Sequence, residues 1–328
     1  MKLRSATKGL GFGIQRRGAG ILAALTSALF LGFTPVLGKL AINLGISPLG
    51  VVAWRTALAA LLILVIVALF YRSFLYVFPV GFYGCALAGC INGTGSILYY
   101  LALDQLNASV GQMVFSLYPF FLALWLMLDG QPLGWLTFLR MLIAIVGIVL
   151  LTAMQPGGAS TAGLLMMLGA AALYALHLPI NQRVLYEVPA PTVTLYTMLA
   201  MSVVVVPVYV LFDSDPSAAA AASWPVIGLT LVTSLARLSL FFGVKSIGGM
   251  QTALLGLAEL LMAVLLSHVW LQESLSSVQW LGALALASSL ILVHYEKRHA
   301  RAHPGSRGLF AWIRPPDIPR DAPWGPHE

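Results

Sequence analysis

Ser27–Lys39, SALFLGFTPVLGK, lies over Ala171–Arg183, AALYALHLPINQR, at an offset of 144 residues, with Pro35 on Pro179 and Lys39 on Arg183. At an offset of 142, FLRMLIAIVGIVLL from Phe138 lies over WLGALALASSLILV from Trp280. The same offset puts Tyr99-Tyr100 on Phe241-Phe242, and Gln131 and Leu133 on Glu273 and Leu275. Shared Leu, Ala and Val mean little between apolar segments. The coincident prolines, bases and glycine-rich breaks carry the match, and they read as two copies of one unit.

Outward from these stretches, apolar blocks of roughly 20 residues recur along the chain, the length a helix needs to cross a hydrocarbon core about 30 Å thick. Punctuation by Gly, Pro, Asn and charge predicts helices near 19–40, 50–71, 77–101, 107–128 and 133–154, then 160–182, 191–212, 224–246, 250–271 and 277–295. Segments such as Leu61–Phe70 are apolar throughout, which excludes the alternating strands of an outer-membrane barrel. The expected fold is an all-α polytopic membrane protein with about ten transmembrane helices as two five-helix repeats. Because five is odd, the two copies must enter the membrane in opposite orientations.

Composition agrees: 59% of the 328 residues are hydrophobic and 9% charged, against about 25% charged in a soluble globular chain. The net charge of +7 does not form a nucleic-acid-binding stripe. With the N-terminus inside, fourteen of the 18 Lys and Arg fall on inner segments, while the longer outer connection after the seventh helix carries Asp213 and Asp215. This positive-inside pattern predicts a multi-pass protein of the plasma (inner) membrane with both termini cytoplasmic. Residues 1–17 read as a cytoplasmic segment before a retained first helix, 18–154 and 160–295 as the two repeats, and 296–328 as a disordered cytoplasmic tail. Cys85 and Cys90 share one helix and read as small buried packing residues.

The ends of the two repeats, ASVGQMVFSLYPFFLALWLMLDGQPL (Ala108–Leu133) and MQTALLGLAELLMAVLLSHVWLQESL (Met250–Leu275), each precede a final apolar helix. They resemble the EamA-type family of the drug/metabolite transporter superfamily, whose pattern there is small residues, a Pro or Glu-Pro break, an apolar run and a Gly-Glu. Pro119 supplies the break in the first copy, and Glu259 and Glu273 supply carboxylates in the second. Gln131, Leu260 and Arg140 depart from the pattern. The resemblance covers roughly residues 19 to 295 and implies transport of a small metabolite or drug-like molecule, frequently outward. Inverted repeats fit that reading, because two similar halves of opposite polarity can close on either side of one site.

Ionisable groups inside a bilayer are costly unless they face a partner or a cavity. Arg237 and Glu259 fall near mid-span on neighbouring helices; a fixed salt bridge between them and a contact with substrate or proton are both open, and Glu259 is the coupling candidate. Arg55 either binds an anionic group or snorkels, and Lys39 and Arg140 lie near enough to helix ends to snorkel. Thr34, Asn92, Ser96, Tyr99, Gln112, Tyr118, His177, Asn181 and Gln251 are the uncharged polar candidates for a central site. Aromatic walls would come from Tyr99, Tyr100, Tyr118, Tyr174, Phe241 and Phe242. Gly93-Thr94-Gly95, Gly248-Gly249 and the prolines Pro35, Pro119 and Pro179 permit a hinge or kink, or close packing without motion. No HExxH or GxxxxGK[ST] motif occurs, so neither an intramembrane metalloenzyme nor a self-contained ATP pump is expected, and no cofactor or metal. The expected protein is a secondary transporter, an exporter working by alternating access, with proton coupling through Glu259. Its expected partners are a small-molecule substrate and the lipid bilayer, and its expected state a monomer or loose homodimer. A non-transporting receptor or scaffold with the same fold is the alternative.

Overall fold

The computed structural model describes residues 18–130, 134–152, 160–213, 223–270 and 277–292. The N-terminal segment, Gln131, Leu133, Glu273 and the tail lie outside the described residues. The helices are α1 (Gly18–Asn43), α2 (Pro48–Phe70), α3 (Pro79–Gln105), α4 (Ala108–Leu128), α5 (Trp135–Thr152), α6 (Thr161–Val184), α7 (Ala190–Phe212), α8 (Trp224–Ile247), α9 (Gly249–Gly256 continuing as Ala258–Trp270) and α10 (Ser277–Ile291). The ten predicted helices therefore recur with ends displaced by a few residues, eight of them, α1 to α4 and α6 to α9, long and apolar enough to span a bilayer among the described residues.

Local chemistry sets the helix starts. Pro48 and Pro79 open α2 and α3, where their missing N–H costs nothing. Ser47 and Ser160 cap α2 and α6 by accepting from the amides of Gly50 and Gly163. Lipid-facing sides carry exposed Leu61, Val65, Leu69, Val203, Val210, Leu231 and Leu235, as expected where the surrounding solvent is hydrocarbon.

The helix pairings repeat with the halves exchanged. Helix α3 packs on α6 and α7, and α8 packs on α1 and α2, while α2 lies against α7 and α5 against α10. This is the arrangement of two five-helix units related by a pseudo-twofold axis. One end of the bundle, the Ser47 end, gathers the α1–α2 and α3–α4 connections and the end of α7 at Asp213. The opposite, Asp129 end gathers the connections of α2–α3, α6–α7 and α8–α9.

Among the described helices, three break. α1 is interrupted at Gly32-Phe33 and α4 at Ser116-Leu117, just ahead of Pro35 and Pro119, each of which removes a backbone donor and crowds the preceding turn. α9 breaks at Leu257, the matching place in the second repeat, although no proline follows there. At two of the positions where the sequence permits a hinge or kink, the helix does not break: α3 runs unbroken through Gly93-Thr94-Gly95, and Pro179 lies inside a continuous α6. The α3 glycines serve packing instead. A Cβ on Gly89 would come within 2.5 Å of Ala200 Cβ and 2.6 Å of the Thr197 carbonyl oxygen, so α3 and α7 touch backbone to side chain there. Gly89→Ala is expected to lower stability by about 1–3 kcal/mol, read as a fall in melting temperature in detergent; an unchanged melt would show that α7 gives way freely. Gly248, at φ +90°, makes the α8–α9 turn, a backbone region glycine enters without strain.

Of the two cysteines, Cys85 is buried against the small-residue face of α3, but Cys90 is exposed. The burial expected for both holds for one, because a five-residue step places them on different sides of the helix.

Candidate functional site

A cavity lies where α1, α2, α3, α4, α6, α8 and α9 converge, with about 430 Å³ of empty space when the open solvent at its mouth is included. Its lining includes Thr34, Arg55, Asn92, Ser96, Tyr99, Phe115, Tyr174, Arg237 and Glu259, together with the small or aliphatic Leu31, Gly95 and Ala170. Asn92, Tyr174, Arg237 and Glu259 sit at the mid-height of their helices. Thr34, Arg55, Tyr99 and Phe115 lie in the halves of α1 to α4 nearer the Ser47 end. Both repeats contribute, and small residues on α3 and α6 leave room for larger side chains to meet.

Arg237 is the hub. Its two terminal nitrogens donate to the Asn92 amide oxygen at 2.9 Å, in the amide orientation that satisfies both groups, and Nη1 lies 3.3 Å from His177 Nε2. Its guanidinium carbon stands 5.5 Å from the Tyr174 ring centre, a cation–π distance. Since Arg237 donates to His177, the Nε2 of that ring is an acceptor. The other ring nitrogen then carries the proton and donates to the Tyr174 carbonyl.

Glu259 belongs to a second chain of contacts. Gln112 Nε2 donates to Glu259 Oε1 at 3.0 Å, and the Tyr99 hydroxyl donates to Gln112 Oε1 at 3.1 Å. Glu259 sits in the first turn after the α9 break, where a helix N-terminus favours a carboxylate. The Arg237–Glu259 salt bridge left open by the sequence is not formed. Each already has hydrogen-bond partners on α3, α4 or α6, which hold the two side chains on separate parts of the lining.

Arg55 does not snorkel. It is buried at 5% exposure, donates from Nη1 to Thr233 Oγ1 at 3.3 Å, and lies 4.8 Å from the Tyr100 ring centre. Arg140 also departs from the snorkelling expectation: fully buried, it donates to Gln251 Oε1 at 2.7 Å, which takes Gln251 away from the cavity. Lys39 reaches the carbonyls of Leu103, Asp104 and Leu106 at 2.8–3.1 Å and so caps the C-terminus of α3.

The site candidates thus divide. Thr34, Arg55, Asn92, Ser96, Tyr99, Arg237 and Glu259 line the cavity. Gln112 and His177 stand behind it, each holding a lining residue in place. Tyr118 is spent on a hydrogen bond to the Ala253 carbonyl at 2.8 Å, made possible by Gly256, where any Cβ would collide with the Tyr118 hydroxyl. Asn181 accepts from Thr197 at 3.3 Å, away from the site. Of the aromatic candidates, Tyr99 and Tyr174 form walls and Tyr100 backs Arg55, whereas Phe241 packs in the core and Phe242 is exposed on the outer face. Phe115 joins the lining without having been expected there; its ring lies 5.1 Å from Tyr99 and 5.2 Å from Tyr174. Nothing in sequence separates Phe115 from the many apolar residues of α4.

The Asp129 end below the cavity is crossed by polar contacts between the halves. Arg183 Nη2 stands 2.6 Å and 2.8 Å from the two Asp129 oxygens, with both side chains buried. The Tyr118–Ala253 and Arg140–Gln251 bonds also join the halves, as does the Ser47–Asp213 hydrogen bond at the other end. Asp129 and Arg183 are far apart in the chain, so no local pattern announces the pair.

Two five-helix halves around a polar mid-membrane cavity define a multi-pass membrane transporter. The chain belongs to the EamA-like transporter family, whose sequence profile matches residues 18–153 and again 161–295. No curated protein matches the chain. A solved structure described as "Crystal structure of protein" is similar with a TM-score of 0.67 at 18% identity, over 85% of this chain and 97% of that one, a likeness of fold.

Proposed function

We propose that the protein is a secondary transporter that exports a small molecule through the central cavity by alternating access. Its membrane is the plasma membrane, its termini are cytoplasmic, and it acts as a monomer or loose homodimer. The observation that carries the reading is the cavity itself: lining residues from both repeats meet at mid-height, and polar contacts join the halves at both ends, Asp129–Arg183 at one and Ser47–Asp213 at the other. The positive-inside pattern supports a cytoplasmic Asp129 end and an outer Ser47 end. Alternating access then requires the Asp129–Arg183, Tyr118–Ala253 and Arg140–Gln251 contacts to part when the site opens to one side, and the Ser47–Asp213 contact to part when it opens to the other.

Substrate is bound by Thr34, Arg55, Asn92, Ser96, Tyr99, Arg237 and Glu259, with Gln112 and His177 as positioning residues. Glu259 is the carboxylate among the lining residues and the group that takes up and releases the coupling proton. Protonation would weaken its bond from Gln112 and change the net charge of the cavity, which gives the proton a means of biasing the conformational equilibrium.

Purified protein in liposomes, offered a mixed panel of radiolabelled metabolites with and without a pH gradient, tests this. A gradient of one unit is worth about 1.4 kcal/mol per proton, or about tenfold accumulation at a stoichiometry of one. Wild type is expected to approach that accumulation. Glu259→Gln, nearly isosteric and still able to bond Gln112, is expected to equilibrate its substrate without accumulating it. Equal accumulation by the variant would remove Glu259 from coupling, and absence of saturable flux for any compound in folded wild type would overturn transport.

A further inference from the structure

We infer that the central cavity recognises small organic monocarboxylates that carry an apolar, ring-sized body, with Arg55 as the group that meets the carboxylate. The inference rests on the transporter reading of the cavity and adds the chemistry of what enters it.

Charge is the first ground. The ionisable residues of the lining include Arg55, Arg237 and Glu259, two guanidinium groups against one carboxylate. Arg237 is engaged by Asn92, His177 and the face of Tyr174. Glu259, in the same lining, offsets one positive charge. The other is left over, and a buried charge near mid-membrane is costly without a counter-charge.

The second ground is that Arg55 is held but not neutralised. Among the described residues no carboxylate pairs with it; its contacts are a neutral threonine hydroxyl and the Tyr100 ring. Its Nε is buried without a hydrogen-bond partner, as are Arg237 Nε and the hydroxyl of Thr34, another lining residue. A guanidinium lying against an aromatic ring keeps its donor edge free, and that planar fork matches the two oxygens of a carboxylate. One uncompensated charge suits a monoanion better than a doubly charged phosphate ester.

The third ground is the rest of the lining. The Phe115 ring centre lies 5.1 Å from that of Tyr99 and 5.2 Å from that of Tyr174, so the three form a continuous aromatic wall. Leu31 and Ala170 add aliphatic surface. Such walls favour a flat or compact apolar body beside the charged head.

Four ligands of one shape test the idea: phenylacetate, phenylacetamide, phenethylamine and phenyl phosphate, titrated calorimetrically into the full-length protein in nanodiscs and then followed as flux in liposomes. Phenylacetate is expected to bind at least tenfold more tightly than the other three. Arg55→Gln is expected to bring the carboxylate-to-amide ratio close to one, and Arg55→Lys to restore part of it. Should Arg55→Gln fail to fold, the wild-type ranking and the Lys variant still decide. Preference for the amine, the amide or the phosphate, equal binding of all four, no binding of any, or an Arg55→Gln ratio like that of wild type would overturn the inference. Selective carboxylate binding without flux would uphold the site chemistry and sink the transport reading; saturable flux without carboxylate preference would do the reverse.

Discussion

Replacing Asp129 by Ala is expected to cost about 3–5 kcal/mol of stability, a larger loss than that of Gly89→Ala. Asp129 ends α4 in the first half, and Arg183 lies in the last turn of α6 in the second. The pair is short and buried, and Arg183 Nε and Nη1 have no other partner among the described residues. Removing the carboxylate therefore leaves a guanidinium in the interior with its charge uncompensated. Two charges taken from water scarcely repay their desolvation by pairing, so most of the loss comes from the orphaned arginine and not from the missing attraction. Asp129→Leu combined with Arg183→Met should recover much of the stability, since it removes both charges and fills the space. Melting of the purified variants in detergent checks the ordering. A single Asp129→Ala variant that melts with wild type would show that water or another group already serves Arg183. Because the pair ties the halves at one end, the double variant is also expected to alter flux, by loosening one of the two end states.

Arg237→Leu should reduce flux about 100-fold or more, with a smaller effect on folding. Truncating one member of a buried, hydrogen-bonded charged contact typically costs about 2–5 kcal/mol, and about 2.7 kcal/mol corresponds to 100-fold. Arg237 holds the Asn92 amide oxygen and His177 Nε2 at once, so its loss frees a lining residue and the histidine behind it and removes one of the two positive charges. Arg237→Lys keeps the charge but has no planar fork to reach both partners, and is expected to retain an intermediate fraction. Flux in liposomes, normalised to folded protein, separates the three. An Arg237→Leu variant of normal flux and lowered melting temperature would make the residue a packing element of the bundle.

Much of the architecture is legible in the chain because a bilayer imposes a simple rule. With no water to satisfy backbone groups, a segment crosses as a helix of set length, and blocks such as Pro48–Phe70 announce themselves by hydropathy alone. The repeat is legible for a related reason: Pro35 with Pro179, Lys39 with Arg183, and the paired aromatics at Tyr99 and Phe241 keep their spacing. What those residues do is not preserved with it. Pro35 follows a helix break and Pro179 does not; Lys39 caps α3 through carbonyls while Arg183 pairs with Asp129. A weak internal likeness records common geometry, and each half has adapted its own side chains.

The candidate site is legible in kind and less so in detail. Ionisable and polar residues within apolar spans stand out against their surroundings, which is why Arg55, Asn92, Arg237 and Glu259 can be singled out and why all four line the cavity. Gln251, Tyr118 and Asn181 stand out equally and are drawn into bonds elsewhere. The sequence by itself determined the helical class, the set of about ten helices and the polar residues that must find partners inside the membrane. Only the tertiary structure decided who those partners are: Asn92 and His177 for Arg237, Gln112 for Glu259, Gln251 for Arg140 and Asp129 for Arg183. The physical reason is that crossing the bilayer is decided within one helix, by its own length and hydropathy, whereas a polar partner lies on another helix. Which helix comes near depends on the sum of small-residue contacts, such as Gly89 against Thr197 and Ala200, that set how closely the helices approach.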